Sequence, residues 1–419
     1  MIMKTEHTLA VEGHVATPEA HGNSLVHRRI EIDTRSGLIT EVSEPTGSGD
    51  YIFDESHIIL PGIIDVHVHA REDPSGEELY KESFASAGKA SLHGGVTAFI
   101  EMPNNPRAPI DDTSYATKRD LTKTSDVKIL LFAGVGPGTR PLSFPAPYKV
   151  YMGPSIGSLF FESEEALRQA LARYRGQRVA FHAEDPEILR SHVGAATHEE
   201  SRPREAEIVA IETVIEMCAG FQIEPHICHL TTAEGLDVIR EARSRGIKVS
   251  TEVTPHHLYF DQDNKPAFHS PSFLQCNPPI RTKLDRVALL EAFRDGEIEY
   301  LGTDHAPHSL AENEAGMSGV PQLDTVGPFL FWLRDEGVSW ETVRLTCCER
   351  PGQLMNRYLP DLYGKIAEGF VGSLTVLKNE PVTIRRENLQ TLAGWSPFEG
   401  SKFSGGVSHT IVRGKVHAQ

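Results

Sequence analysis

One stretch of the chain, Leu60 to Arg71, constrains the fold more than any other. It reads Leu-Pro-Gly-Ile-Ile-Asp-Val-His-Val-His-Ala-Arg, an apolar and β-branched run that leads directly into two histidines and an arginine. Such a run predicts a short buried strand with its polar residues at the carboxyl end. Because alternate residues of a strand share a face, His67 and His69 are expected to point the same way, about 7 Å apart along the chain, where they could bind one cation.

The segments that follow alternate between strand-like and helical patterns, which is typical of βα units around a parallel sheet. The predicted strands are 63–67, Val96–Glu101, Val127–Phe132, Tyr148–Met152, Arg178–His182, Pro225–His229, Lys248–Glu252 and Tyr300–Thr303. Helical patterns lie between them at Glu78–Leu92, Glu164–Tyr174, Arg204–Cys218, Thr232–Ser244 and Asp285–Asp295. Eight such units predict an α/β fold of the (β/α)8 TIM-barrel type, which usually takes about 250 residues or more.

The two ends of the chain have a different pattern. Residues 1–58 carry short alternating segments separated by glycine-rich turns, and the same pattern returns from Gly364 onward. Neither end has enough apolar residues to fold alone, so we expect both to build one small β-sandwich domain beside the barrel. The predicted division is residues 1–58 and 361–419 for this domain and residues 59–360 for the barrel.

Composition excludes several classes of function. The chain has 58 acidic and 41 basic residues and a net charge of −17, which opposes nonspecific binding to nucleic acid or anionic membranes. No run of 18 apolar residues occurs, and the five cysteines show no C-x-x-C spacing. These features predict a soluble, cytoplasmic protein with reduced thiols that acts on a small molecule rather than on nucleic acid or a membrane.

Residue types that bind metals recur where the predicted strands end, which is the edge at which (β/α)8 barrels carry their chemistry. They are His67 and His69 in the first strand region, Lys149 in the fourth, His182 in the fifth, His229 in the sixth and Asp304 after the eighth. Counting ligands divides them between two cations. His67, His69 and Asp304 would bind one cation, and the other two histidines would bind the second.

Lys149 does not fit a simple metal site, because an ammonium cannot coordinate a cation and costs several kcal/mol to bury without a partner. One interpretation is that the ammonium of Lys149 forms an ion pair with a nearby carboxylate. The other is that its neutral amine has reacted with CO2 to form a carbamate, whose two oxygens could bridge two metals. A hydroxide held by the same metals would be nucleophilic at neutral pH, since metal binding lowers the pKa of water to about 7 in a favourable site.

A series of motifs resembles those of the amidohydrolase superfamily and, within it, of the dihydroorotases. They are His67-Val-His-Ala-Arg71, Glu101-Met-Pro-Asn-Asn105, Tyr148-Lys-Val-Tyr151, Phe181-His-Ala-Glu184, Ile227-Cys-His229, Glu252-Val-Thr-Pro-His-His257, Asn277-Pro-Pro-Ile-Arg281, Asp304-His-Ala-Pro-His308 and Ser396-Pro-Phe-Glu-Gly400. The resemblance runs from about residue 58 to the C-terminus. It implies two divalent metals, most simply Zn²⁺, a carbamate on Lys149 and Asp304 as the general acid and base. The implied reaction is reversible hydrolysis of dihydroorotate to N-carbamoyl-L-aspartate, a step of pyrimidine synthesis.

Arg71 indicates a substrate with a carboxylate, because a guanidinium can bind a carboxylate through two charge-assisted hydrogen bonds. A structural salt bridge to Glu72 or Asp73 is the alternative. The resemblance implies that Arg71, Asn104 and His308 hold the carboxylate of dihydroorotate and that Asn277 contacts the ring amide.

The chain departs from the family pattern at Arg71-Glu-Asp-Pro74, where Arg-Glu-Pro-Gly is usual, and at Gly372-Ser-Leu374, where Ala-Asp-Leu is common. Two rival interpretations stay open. One is a hydantoinase, dihydropyrimidinase or allantoinase-type amidase for neutral rings, and the other is a noncatalytic scaffold for a partner such as aspartate transcarbamoylase. A homodimer, manganese or cobalt in place of zinc, and an accessory metal at Cys228, Glu252 and His257 also stay open.

Overall fold

The protein is described by a computed structural model for residues 7–19, 21–153, 159–265 and 272–419. Its strands are β1 (Thr8–Val15), β2 (Val26–Asp33), β3 (Leu38–Ser43), β4 (Tyr51–Ile52), β5 (His57–Pro61), β6 (Ile63–Val68), β7 (Val96–Glu101), β8 (Lys128–Leu131), β9 (Ala133–Val135), β10 (Tyr148–Tyr151), β11 (Arg178–His182), β12 (Glu224–Ile227), β13 (Ser250–Val253), β14 (Tyr300–Leu301), β15 (Leu374–Lys378), β16 (Val382–Thr383), β17 (Lys402–Phe403), β18 (Gly406–Val412) and β19 (Lys415–Ala418). Its α-helices are α1 (Phe84–Gly94), α2 (Asp112–Leu121), α3 (Glu164–Leu171), α4 (Pro186–Ser191), α5 (His198–Ser201), α6 (Arg204–Phe221), α7 (Ala233–Ser244), α8 (Pro255–Tyr259), α9 (Lys283–Arg294), α10 (Leu310–Glu314), α11 (Val326–Asp335), α12 (Trp340–Arg344) and α13 (Arg350–Met355).

The parallel strands β6 to β14 form a closed barrel. β6, β7 and β8 pair in one sheet, and β9 to β14 pair in chain order in a second. β8 and β9 are two parts of the third barrel strand, since β8 pairs with β7 and β9 pairs with β10. A parallel bridge between Val68 and His305 joins the first and last strand positions. The predicted (β/α)8 barrel is therefore confirmed.

The predicted barrel strands all lie in this barrel, and most of their ends differ from the prediction by no more than two residues. The first helix differs more, because it begins at Phe84 rather than at Glu78. Ser83 forms a capping box with Ser86, in which each hydroxyl accepts from the backbone N–H of the other residue. Such a cap satisfies the free N–H groups of the first turn and so defines where the helix begins. The helix ends at Gly94 and is capped by the next residue, Gly95, whose φ of 84° favours glycine.

Both ends of the chain build one β domain. Its sheet has the order β19-β18-β15-β5-β1-β2-β3, with β4 paired to β1. The central strand β5 pairs in parallel with the N-terminal β1 and antiparallel with the C-terminal β15, and it leads directly into β6 of the barrel. The β domain predicted from both chain ends is confirmed, and we retain the division into residues 1–58, 59–360 and 361–419 as a proposal.

The five cysteines are all free and buried. Burial raises the pKa of the Cys347 thiol to about 12, so it stays protonated at neutral pH. Cys347 and Cys348 lie in the π-helical segment Leu345–Glu349 and contribute to core packing. Across the described ranges, no helix combines the length and the apolar character that crossing a membrane requires.

A buried carboxylate ties the strands of the β domain together. Glu12 on β1 accepts hydrogen bonds from Arg29 Nη1 at 2.7 Å, Thr46 Oγ1 at 2.9 Å and Gly47 N at 2.8 Å. These donors favour the ionised form, and they lower the pKa of Glu12 to about 2 although burial opposes that shift. The ionised carboxylate therefore stabilises the folded state.

Replacing Glu12 by glutamine is expected to lower the free energy of unfolding by about 2–3 kcal/mol at pH 7. Because the folded-state pKa lies below the unfolded value, the contribution is complete above about pH 5 and fades as the pH falls toward 2. Urea unfolding between about pH 5 and pH 2 measures the free energy of unfolding of both proteins. The difference between wild type and Glu12→Gln should shrink as the pH falls. Glu31→Gln is the matched control, since Glu31 also pairs with Arg29 but is partly exposed. If Glu12→Gln and Glu31→Gln lowered the free energy of unfolding equally, the prediction would be contradicted.

Candidate active site

A cavity of about 320 Å³ opens at the carboxyl end of the barrel strands. Nine of the ten side chains that the sequence predicted for the site line it: His67, His69, Arg71, Asn104, His182, His229, Asn277, Asp304 and His308. The tenth, Lys149, is fully buried, and its Nζ lies 5.2 Å from the ring centroid of Tyr151, which also lines the cavity. The structure thus brings together residues that are spread over some 240 positions of the sequence.

The first group of potential ligands comprises His67, His69 and Asp304. Asp304 Oδ1 lies 3.0 Å from His69 Nε2 and 3.2 Å from His67 Nε2, and the two Nε2 atoms are 3.3 Å apart. Ligand atoms about 2.0–2.2 Å from a tetrahedral cation have nearly this mutual separation. The far nitrogens are oriented by acceptors, because His67 Nδ1 donates to Glu252 and His69 Nδ1 donates to Asn104 Oδ1 at 2.6 Å. Each Nε2 lone pair is therefore directed at the cavity.

The second group comprises His182 and His229, whose Nδ1 and Nε2 atoms lie 2.9 Å apart. His182 Nε2 donates to Glu184 at 2.7 Å, and Glu184 in turn accepts from Arg202 Nε at 3.1 Å. Burial lowers the pKa of both histidines, that of His229 well below its usual value, so they are neutral and can donate a lone pair to a metal. His67, His229 and Asp304 each place a ligand atom within 4.8 Å of the others, so the two groups are contiguous.

Three residues of the site have backbone in the left-handed region, with φ of 62° at Arg71, 35° at His229 and 48° at Asp304. Among the described residues other than glycine, only Gln222 and Arg413 share this property. Such conformations cost about 1 kcal/mol or more and persist where the surrounding structure enforces them. Each of the three follows the end of a barrel strand, where the turn directs the side chain into the cavity.

Lys149 has an unusual environment for an ammonium. Its Nζ donates to Cys228 Sγ at 2.9 Å, and within the described part of the chain it forms no ion pair with a carboxylate. The structure therefore does not supply the carboxylate partner that one interpretation of the sequence required.

Arg71 is buried at the cavity wall and also lacks an ion pair among the residues that the structure describes. Its Nε donates to Pro307 O at 3.3 Å and its Nη2 donates to His308 Nε2 at 3.2 Å. The alternative salt bridge does not form, because Glu72 accepts from Phe84 N and Asp73 accepts from Arg107 N. Burial and the charge of Arg71 lower the pKa of His308 to about 3, so this histidine is neutral.

Several functional neighbours were not predicted from the sequence. Tyr151 and Arg202 line the cavity, and Glu184 and Glu252 orient the histidines. Tyr151 could have been found, because it lies two residues after Lys149 on one strand and so shares its face. Asn104 has a further contact beyond the predicted one with substrate, since it accepts from His69 Nδ1.

The accessory metal site considered at Cys228, Glu252 and His257 does not form as a unit. Cys228 and Glu252 lie with His67, whereas His257 lies with His256 and Cys276. His257 Nε2 donates to the backbone oxygen of Pro278 at 3.0 Å, which accounts for its position without a metal.

Comparison with known proteins relates this site to a family. The model of the Amidohydrolase family matches residues 58–130. The dihydroorotase of Pyrococcus furiosus is 34% identical over 397 residues, which cover 92% of this chain and 88% of that protein. The dihydroorotase of Listeria welshimeri is 32% identical over 409 residues, which cover 90% and 91%.

The chain belongs to the dihydroorotases of the amidohydrolase family. Solved structures with the same fold include the L-hydantoinase of Arthrobacter aurescens, with a TM-score of 0.88 at 22% identity over 99% of this chain and 96% of that one. The dihydropyrimidinase of Brevibacillus agri has a TM-score of 0.84 at 22% identity over 98% and 95%. At these identities the likeness shows only the fold. Amidohydrolases are generally metal-dependent, and the two histidine groups are the candidate metal sites of this dihydroorotase family member.

Replacing Glu252 by glutamine is expected to weaken metal binding about 10- to 100-fold, because outer partners orient metal-binding histidines and raise their basicity. Glu252 also accepts from His226 Nε2 at 2.9 Å and from the backbone N–H of His229 at 3.2 Å, so one side chain supports both groups. Metal retained per chain during competition with a chelator measures the effect. Glu207→Gln is the control, since Glu207 is equally buried but contacts Thr231. Equal retention in both variants would contradict this role of Glu252.

Proposed function

We propose that this protein is a dihydroorotase that hydrolyses the cyclic amide of (S)-dihydroorotate to N-carbamoyl-L-aspartate and catalyses the reverse ring closure. The observation that carries the proposal is Arg71, a buried guanidinium at the wall of the catalytic cavity with no carboxylate partner among the described residues. A buried unpaired charge is costly, and a carboxylate on the substrate would remove that cost. The similarity to dihydroorotases over most of the chain supports the same substrate.

Residues near Arg71 offer further contacts to the carboxylate and the ring amide of the substrate. His308 is neutral and accepts from Arg71 Nη2, so its Nδ1 carries the proton. That Nδ1 is buried and lies 4.0 Å from Glu312, so His308 would help to hold the carboxylate by orienting Arg71. The backbone oxygen of His308 accepts from Trp395 Nε1 at 2.9 Å, which holds this histidine in place. Asn277 Oδ1 is buried without a hydrogen-bond partner in the described structure, and it can accept from a ring N–H.

The two histidine groups fit two divalent cations, with His67, His69 and Asp304 as ligands of one and His182 and His229 as ligands of the other. Neutral imidazoles and a carboxylate suit Zn²⁺ best, and manganese or cobalt would bind the same donors. When bound, such cations supply Lewis acidity toward the amide carbonyl and lower the pKa of a water to near neutrality.

Lys149 is proposed to carry a carbamate. The modification replaces a buried ammonium by a group of negative charge, and this removes the unpaired positive charge at the base of the cavity. Lys149 lies on β10 beside β11, which bears His182, so a carbamate there would supply negative charge and oxygen ligands next to that histidine group. Hydrogen bonding to Cys228 already orients the side chain.

Asp304 is proposed as the general acid and base. Its carboxylate lies at the cavity, and its Oδ1 contacts both His67 and His69. During hydrolysis Asp304 accepts the proton of the attacking water and then donates it to the ring nitrogen as the amide C–N bond breaks. In the reverse direction it takes that proton from the carbamoyl nitrogen as the C–N bond forms, and returns it to the carboxyl oxygen that leaves as water.

A cyclic amidase for neutral rings is the alternative, because hydantoinase structures share the fold. Arg71 and His308 oppose it, since a neutral ring would leave the guanidinium unpaired. A noncatalytic scaffold would not need the complete ligand set. We further propose that the protein works in the cytoplasm in pyrimidine synthesis, as a homodimer or with aspartate transcarbamoylase.

Wild-type protein loaded with Zn²⁺ is expected to hydrolyse dihydroorotate and to leave hydantoin and dihydrouracil unchanged. Arg71→Met should lower kcat/KM for dihydroorotate about 100-fold, because two charge-assisted hydrogen bonds are lost. Inhibition by dihydrouracil, the same ring without the carboxylate, should not change. Arg178→Met is the control, since Arg178 lies at the opposite end of the barrel and contacts Ser250. Faster hydrolysis of hydantoin than of dihydroorotate would overturn the proposal.

Intact-mass measurement under native conditions is expected to show the chain heavier by one CO2, and acid denaturation should remove this increment. Lys149→Met should lose this added mass and bind one metal or fewer per chain, because the oxygen ligands that a carbamate would supply are absent. Lys128→Met, on the neighbouring third barrel strand, is the control and should retain both properties. An unmodified wild-type chain that binds two metals would show that Lys149 acts as an ordinary amine.

A further inference from the structure

A buried charge pair lies next to the segment that bears Arg71, the candidate carboxylate-binding residue. Glu101, the last residue of β7, and Lys118 of α2 form an ion pair with Oε1 and Nζ 3.2 Å apart. Both are inaccessible to solvent, with 1% and 0% of their surfaces exposed. Lys118 Nζ also donates to Asn105 Oδ1. The reaction described above uses neither residue.

The other oxygen of Glu101 reaches the substrate-binding segment. Glu101 Oε2 accepts from the backbone N–H of Ala70 at 2.7 Å. Ala70 joins His69, a candidate metal ligand, to Arg71, the candidate carboxylate-binding residue. Arg71 has a left-handed φ of 62°, and the direction of its side chain depends on how the backbone at Ala70, one residue before it, is held.

Stability alone does not explain this pair. Removing two charges from water costs several kcal/mol per ion, and apolar residues of similar volume often replace a buried pair without loss of stability. What an apolar pair could not supply is an acceptor for the Ala70 N–H. A carboxylate makes that contact, and Lys118 compensates its charge. The same lysine contacts Asn105, which follows the cavity residue Asn104.

We propose that Glu101, with Lys118 as its counter-ion, is a positioning residue that orients Arg71 toward the carboxylate of the substrate. Through the Ala70 N–H, it makes the site selective for the anionic ring over the neutral one. This inference rests on the proposed function and identifies what holds its specificity-determining residue in place.

Two double variants isolate the contact with Ala70. E101M/K118M and E101Q/K118M both remove the buried charges and keep the side-chain volumes similar, but only glutamine retains an oxygen that can accept from the Ala70 N–H. The Zn²⁺-loaded full-length variants are assayed with dihydroorotate as substrate and dihydrouracil as competitive inhibitor. Metal content and thermal unfolding are measured on the same samples.

E101M/K118M is expected to raise KM for dihydroorotate about tenfold, in line with the loss of one hydrogen bond to a charged group, with kcat within about threefold. E101Q/K118M should stay within about threefold of the wild-type KM. The inhibition constant of dihydrouracil should be the same in all three proteins, because that ring lacks the carboxylate. If Glu101 had only a structural role, E101M/K118M would lower the unfolding temperature without raising KM for dihydroorotate relative to the inhibition constant of dihydrouracil.

Equal KM values in the two double variants, or a parallel loss of dihydrouracil binding, would overturn the inference. If E101M/K118M does not fold, E101D replaces it, since the shorter carboxylate keeps its charge but withdraws from Ala70, and the same rise in KM is expected. R344M/E349M is the control, because Arg344 and Glu349 form a buried pair outside the cavity. Wild-type protein that does not hydrolyse dihydroorotate would refute the proposed function itself, whereas active wild type with unaffected variants would refute only the role of Glu101.

Discussion

The site depends on the hydrogen bonds that close the barrel between its first and last strand positions. Val68 bridges His305, and the backbone N–H of His69 donates to the oxygen of His305 at 2.8 Å. Thr303 also donates to Asp65 through its backbone at 3.0 Å. These contacts place Asp304 against His67 and His69 although 235 residues separate it from His69. A parallel barrel brings every strand end to one rim, so its closure creates the cavity.

Around the cavity lies a layer of buried acceptors that orient its side chains. Glu252 and Glu184 each accept from a histidine of the site, and Glu101 accepts from the backbone N–H of Ala70. A carboxylate in this layer is stable only because it has several donors, since an unsatisfied buried charge costs far more than a hydrogen bond returns. The layer thereby converts the barrel scaffold into a rigid set of inward-facing groups, which metal binding and catalysis require.

The fold is shared with hydantoinases and dihydropyrimidinases, so it does not determine which ring is hydrolysed. We propose that a few residues at the rim make that choice. The cavity has a candidate metal-binding side, formed by histidines, and a cationic side, formed by Arg71 and supported by His308. An anionic ring satisfies both sides at once, whereas a neutral ring would leave a buried guanidinium without a partner. Under the proposed function, specificity would thus follow from the electrostatic requirements of one buried group, Arg71.

The sequence by itself predicted the barrel, the shared β domain and the candidate metal ligands at the strand ends, because strand periodicity and residue type at strand ends are local properties. The other candidate residues Asn104, Asn277 and His308 were implied only by the resemblance to dihydroorotases. The sequence did not determine where the first helix begins, since that depends on the cap at Ser83. Nor did it place Cys228 and Glu252 apart from His257, or identify Glu101 and Tyr151 as neighbours of the cavity. Those contacts join residues that are distant in the chain. Neither strand's own sequence shows which strand it will pack against, so only the closed barrel decides which side chains meet.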